Sequence, residues 1–186
     1  MSNQNTKWQK KVLELADRTW DREGIRDRLD HLRQHGFGMT DLDWTAMQNH
    51  RVEVLNRVQR RAEEYEYFTH SCAKGSALAL MEAFNLGNWD IIRAMSPFPG
   101  FGMTGGTMTA ARAFIDRFKE ELGTISCPEL QEDVIFGRYM DPRGSKENFT
   151  AFQRAKGYEK CAHPPGVGAR LAADIMLDSP GPAHLL

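Results

Sequence analysis

Cysteine is scarce in this chain and unpaired: three in 186 residues, with no C-x-x-C doublet. Such usage excludes a small secreted fold stapled by disulfides and fits a reducing cytoplasm. Long apolar runs are also missing. None approaches the roughly 20 residues that cross a bilayer, and the opening segment Met1 to Trp8 lacks the apolar core of a secretory leader. Excess charge of one sign is absent, since 24 basic residues face 25 acidic ones for a formal net charge of −1. No basic face argues for nucleic acid. No Ser/His/Asp order, P-loop, H-E-x-x-H or EF-hand pattern occurs either. The expectation is a soluble cytoplasmic protein with neither a nucleic-acid nor a membrane partner.

What is present is helical. Apolar residues recur at three- and four-residue spacing over most of the chain, and 186 residues are enough for one domain with a real core. A helix is expected after Thr6 and Gln9, a second from Arg22 to His35 with Ile25, Leu29 and Leu32 inward, and a long third from Leu42 to His70. The stripe Trp44, Met47, Val54, Leu55, Val58, Ala62 and Tyr65 marks the buried face of the third helix, and the charge run Arg57 to Glu66 reads as its solvated face. The segment Ser71 to Leu86 carries an apolar face beside a line of small residues, Cys72, Ser76, Ala79 and Ala83, next to Gly75. That line suits tight helix packing, or a groove for a flat ligand. Further helices are expected from Thr107 to Leu122, from Ser145 to Gly157 and from Val167 to Leu177. The fold class is therefore all-α: a single-domain helical bundle, with residues 1–66 as an N-terminal extension, 67–178 as the main body and 179–186 as an irregular tail.

Chemistry concentrates at a few positions. Ser126 and Glu129 form an S-x-x-E capping box that puts Cys127 at a helix start, where free N–H groups lower a thiol's pKa. Cys72 lies at another expected helix start, two residues after His70. Cys161 and His163 flank Ala162 in a Pro-rich loop, where residues i and i+2 can converge on one metal. Gly102, Gly105 and Gly106 sit in a glycine-rich loop ahead of a helix and are candidates for holding an anion or cofactor.

These residues also carry a resemblance. Ser71-Cys-Ala-Lys-Gly, Phe101-Gly-Met-Thr-Gly-Gly, the run Phe114 to Leu130 around Cys127, and Lys160-Cys161 before the last helix together resemble the C_GCAxxG_C_C family of redox-active cysteine-motif proteins. The likeness covers roughly two thirds of the chain. Thr107-Met-Thr-Ala stands where that family has its central Gly-Cys-Ala. The resemblance implies a cytoplasmic helical protein with a thiol redox or metal site. Its metal ligands would be Cys72, Cys127 and Cys161, completed by His163 or His70, and its metal would be zinc or iron.

Three functions follow as expectations. The first is metal binding or thiol redox chemistry at that site, oxidoreductase-like, with Cys72 and Cys127 as catalytic thiols. The second is a non-redox enzyme acting on a small, partly apolar molecule in a pocket between Cys72 and the loop 97–107, lined by Trp89, Phe98 and Phe101. The third is a helical accessory subunit, with a homo-oligomer expected in each case.

Overall fold

The computed structural model describes residues 3–37, 42–86 and 108–178. Every regular element among them is a helix. In chain order these are α1 (Asn3–Asp17), α2 (Arg22–His35), α3 (Trp44–Asn49), α4 (Arg51–Thr69), α5 (Cys72–Phe84), α6 (Met108–Leu122), α7 (Cys127–Leu130, continued by a π-helical turn Gln131–Ile135), α8 (Lys146–Arg154), α9 (Gly157–Cys161) and α10 (His163–Leu177). None of these helices is long and apolar enough to cross a membrane. The expected anion loop with Gly102, Gly105 and Gly106, the aromatic residues Trp89, Phe98 and Phe101, and the tail 179–186 lie outside the described residues.

Local chemistry explains the boundaries. The Asp21 carboxylate accepts the Gly24 N–H at 2.9 Å and starts α2. Gly36, at φ +78°, ends it by donating its N–H to Leu32 O, a left-handed conformation that glycine adopts without steric cost. The long helix expected from Leu42 to His70 is two helices. Asp43 caps α3 by accepting from Ala46 N at 2.8 Å, and the chain bends at His50 before α4 begins. The last helix is longer than expected. It begins at His163 because Pro164 and Pro165 fall in its first turn, where a missing N–H costs nothing.

The centre of the molecule is the α4–α5 hairpin with α10 laid across it. His70, in the left-handed region at φ 54°, closes α4 and lets α5 begin two residues later. One core cluster joins Val54, Leu55, Val58, Ala62 and Tyr65 of α4 to Leu78, Ala79, Met81 and Phe84 of α5 and Ala169, Ala173 and Leu177 of α10. Ile25, Leu29 and Leu32 of α2 belong to the same cluster. The expected division at residue 66 thus falls inside α4, with one core spanning both sides of it. A smaller cluster, Trp8, Leu122, Leu130 and Val167, seats α1 and α7.

Burying one large aliphatic side chain stabilises by about 2 kcal/mol, whereas an exposed ion pair contributes about 0–1. Packing of these three helices therefore dominates stability, and the ion pairs set orientation. Arg51 is an example. Its guanidinium holds Asp174 Oδ1 at 2.8 Å, Asp178 Oδ1 at 2.7 Å and the Asp174 carbonyl at 2.8 Å, which ties the start of α4 to the end of α10.

The small-residue line on α5 is used for packing. A Cβ placed on Gly75 would stand 2.9 Å from both Ala62 O and Glu66 N, so α4 and α5 cross backbone to backbone. Gly166 makes an equally close pass over Glu63, whose Cγ would stand 2.7 Å from such a Cβ. Gly75→Ala gains about 1 kcal/mol of helix propensity. It loses more, because the clash is with backbone that cannot swing aside, and overpacking of this kind costs about 1–3 kcal/mol. A net loss of stability, read as a lower urea midpoint, is expected. A midpoint at or above that of the parent would show that the helices do not cross this closely.

Candidate functional site

The α4–α5 hairpin turns the last carboxylate of α4 inward. Glu66 is 3% exposed. The Ser71 backbone N–H and the Cys72 thiol bear on its carboxyl, while its Oε2 has no partner. The Ser71 hydroxyl beside it is also buried and unpartnered. Two orphaned polar atoms at one spot are a costly arrangement for packing alone, at about 1–3 kcal/mol each. Burial pushes the Glu66 carboxyl up to about 8, with the two hydrogen bonds opposing it. The group is a neutral acid at pH 7.

Cys72 opens α5, and its own backbone N–H bears on the sulfur. Burial raises this thiol well above its ordinary range, and the charge of Glu66 raises it further, followed by those of Cys161 and Cys127. Cys161, at the end of α9, is raised by burial, then by Cys127 and Glu66, with Lys160 opposing. The three cysteines, 55 and 34 residues apart in sequence, are therefore within electrostatic reach of one another. Cys161 bears on Cys72 more strongly than Cys127 does, and Cys127 is the strongest charge acting on Cys161. All three are free thiols. Cys127 is exposed, and the other two are partly buried.

Cys127 is held differently from the expectation. The Ser126 side chain makes no capping bond. Thr124 instead donates its hydroxyl to the Glu129 carboxylate and accepts the Ser126 N–H at 3.0 Å. Threonine two residues upstream reaches Glu129 more directly than the serine cap does, so the box does not close. The helix that Cys127 opens is only four residues long before it widens into the π turn, too short for a substantial macrodipole. What orients the thiol is Gln131. Its Nε2 donates to Cys127 Sγ at 3.6 Å, while its Oε1 accepts Met140 N at 2.8 Å.

The two histidines expected to complete a metal site do not join the thiols. The stretch around Cys161 and His163 is helical, so positions i and i+2 point roughly 200° apart. The His163 ring is buried against Trp8, 4.8 Å between centroids, and lines a cleft that contains no cysteine. His70 stacks face to face on Tyr158 at 3.7 Å. Desolvation there, then Arg22, lower its pKa, against Glu159. Burial raises the Tyr158 hydroxyl, with Glu66 and Cys161 adding to it against Arg143. Among the described residues no three histidine, cysteine, aspartate or glutamate side chains are arranged to hold a metal ion, and zinc or iron finds no ligand set there.

Glu66 and Tyr158 were missed by sequence reasoning. Glu66 sits in a charge run that reads as solvated face, yet Glu63 and Glu66 are both buried. The available signal was spacing, since Glu66 continues the four-residue line of Val58 and Ala62 on the buried stripe. No family model, no curated protein and no solved structure matches the chain.

The raised carboxyl has a consequence for stability. Between about pH 4.5 and pH 8 the folded protein keeps a proton at Glu66 that the unfolded chain has lost. This group's stabilising contribution is complete below pH 4.5, declines as pH rises, and is gone above about pH 8. Glu66→Gln should therefore flatten part of the decline and exceed the parent by about 2–4 kcal/mol at pH 8, with little difference at pH 4.5. Denaturant titrations of both proteins across this range read the effect. Parallel pH curves would mean that Glu66 is ionised throughout.

Proposed function

We propose that this protein performs thiol–disulfide redox chemistry at Cys72, Cys127 and Cys161, with Glu66 managing the proton. The observation that carries the reading is that three sequence-distant free thiols act electrostatically on one another beside one buried carboxyl, whose Oε2 has no partner. The resemblance to the redox-active cysteine-motif family supports it at the same three positions.

The roles follow from exposure. Cys127 is the accessible thiol, the one an incoming disulfide can reach. It attacks one sulfur of a small disulfide. The S–S bond breaks, the leaving thiolate takes a proton from water, and a mixed disulfide remains on Cys127. Cys161 gives up its proton and attacks the Cys127 sulfur. This closes an internal disulfide and expels a second small thiol, which is protonated in turn. One disulfide is reduced to two thiols, and two protein thiols become one disulfide. Cys72, hydrogen-bonded to Glu66, can then attack Cys161 once the carboxylate has taken its proton, passing the disulfide inward and freeing Cys127.

Burial keeps Cys72 and Cys161 neutral near pH 7, so the internal steps should speed up as pH rises through about 8, where Glu66 becomes able to accept a proton. Exposure to oxidised glutathione followed by acid quench and peptide mapping should yield an internal disulfide that includes Cys161. The Cys161→Ser variant should stop at a glutathione adduct on Cys127. Oxidation that leaves all three thiols free, or that produces only inter-chain bonds, would overturn the reading.

A further inference from the structure

A second feature lies apart from the cysteines. The turn between α1 and α2 and the outer face of α4 enclose a cleft of about 530 Å³ that none of the three cysteines lines. Five arginines line it. Arg57, Arg60 and Arg61 stand on one face of α4, while Arg18 and Arg28 come from the opposite wall. Like charges three and four residues apart weaken a helix by a few tenths of a kcal/mol per pair. A chain with a net charge of −1 has no general excess of cations to put there.

The carboxylates present do not balance the cluster. Glu64 receives three guanidinium groups at once, from Arg61 at 2.7 Å, Arg28 at 2.9 Å and Arg60 at 3.2 Å, and one charge cannot neutralise three. Arg18 reaches Glu63 at 3.0 Å, but Glu63 is shared with Lys11 at 3.6 Å. Asp21, the other acid of the lining, is occupied as the cap of α2. Arg57 has no ion-pair partner among the described residues. Arg61 also reaches Glu82 at 3.5 Å, so five guanidinium groups and Lys11 face Glu63, Glu64, Glu82 and Asp21, a formal excess of two positive charges.

Arginine cannot shed its proton, and its planar fork suits oxyanions. Arg18, Arg28 and Arg61 have side-chain exposures of only 30, 28 and 26%, so much of the ordering of this cationic wall is already complete before any ligand arrives. Trp20 and Ile25 add an apolar wall on the same cleft. The Trp20 ring is fixed by stacking on Tyr67 at 4.4 Å and by the Arg18 guanidinium at 5.0 Å. The volume is that of a small-molecule site.

We infer that this cleft binds a small molecule bearing a phosphate-type polyanion, with Arg57 and Arg60 supplying the uncompensated charge and Trp20 contacting the body of the ligand. Inorganic pyrophosphate is the simplest probe. Calorimetric titration of the full chain should give saturable binding at one per chain. Pyrophosphate should also raise the melting temperature above that in potassium chloride of equal ionic strength. Arg57→Gln and Arg60→Gln, each on the exposed side of α4, should weaken pyrophosphate at least about tenfold while leaving the circular dichroism spectrum unchanged. Arg154→Ala, a surface arginine on α8, should bind as the parent does. No saturable heat at millimolar pyrophosphate, an effect reproduced by chloride, or equal affinity in all three variants would overturn the assignment.

Discussion

The backbone crossing of α4 and α5 at Gly75 is the contact on which the rest of the structure depends. A hydrogen in place of a side chain lets the two helices approach until Ala62 O and Glu66 N stand only 2.9 Å from where a Cβ would be. At that separation the side chain of Glu66 has no route to water and is pressed against the first turn of α5. The same approach buries Ala62, Tyr65, Leu78 and Ala79 in a single core and gives α10 a flat surface to cover. Position and chemistry therefore have one origin. The close packing that stabilises the hairpin also strips solvent from a carboxyl and a thiol.

A neutral site results. Near pH 7 Glu66 keeps its proton and the two partly buried thiols keep theirs, so the fold encloses a store of protons with no net charge among them. Burial is the main cause at all three groups, and a charge on Glu66 raises both thiols further. Of the three thiols, Cys127 is the exposed one. The Arg-lined cleft on the outer face of α4 shows the opposite electrostatic situation, with fixed positive charges in surplus and water admitted. One helix thus separates two environments of contrasting polarity.

The residues that define α2, α4 and α5 were legible in the sequence because the period of their apolar positions is the period of the helix. Ile25, Leu29, Leu32, Val54, Leu55, Val58, Ala62 and Tyr65 are all buried as that spacing implies. Boundaries were less legible. The start of α3 depends on Asp43 finding the Ala46 N–H, and the early start of α10 depends on two prolines whose loop and helix signals are the same. The cysteines were visible as the unusual residues of the chain, but periodicity says nothing about which of them meet. The pairing of Cys161 with His163 was attractive on spacing alone, and it fails because helical geometry sends the two side chains apart.

Taken alone, the sequence determined the all-α class, the inward faces of the central helices and the three thiols as the chemically distinctive residues. All of these are properties of local period and side-chain type. Only the tertiary structure decided that Glu66 is a buried acid rather than part of a solvated run, that the thiols share its surroundings while His163 does not, and that the arginines of α4 face two more across a cleft. Those outcomes depend on how closely helices distant in sequence approach and on how far water is excluded between them, and neither is encoded in the spacing along one helix.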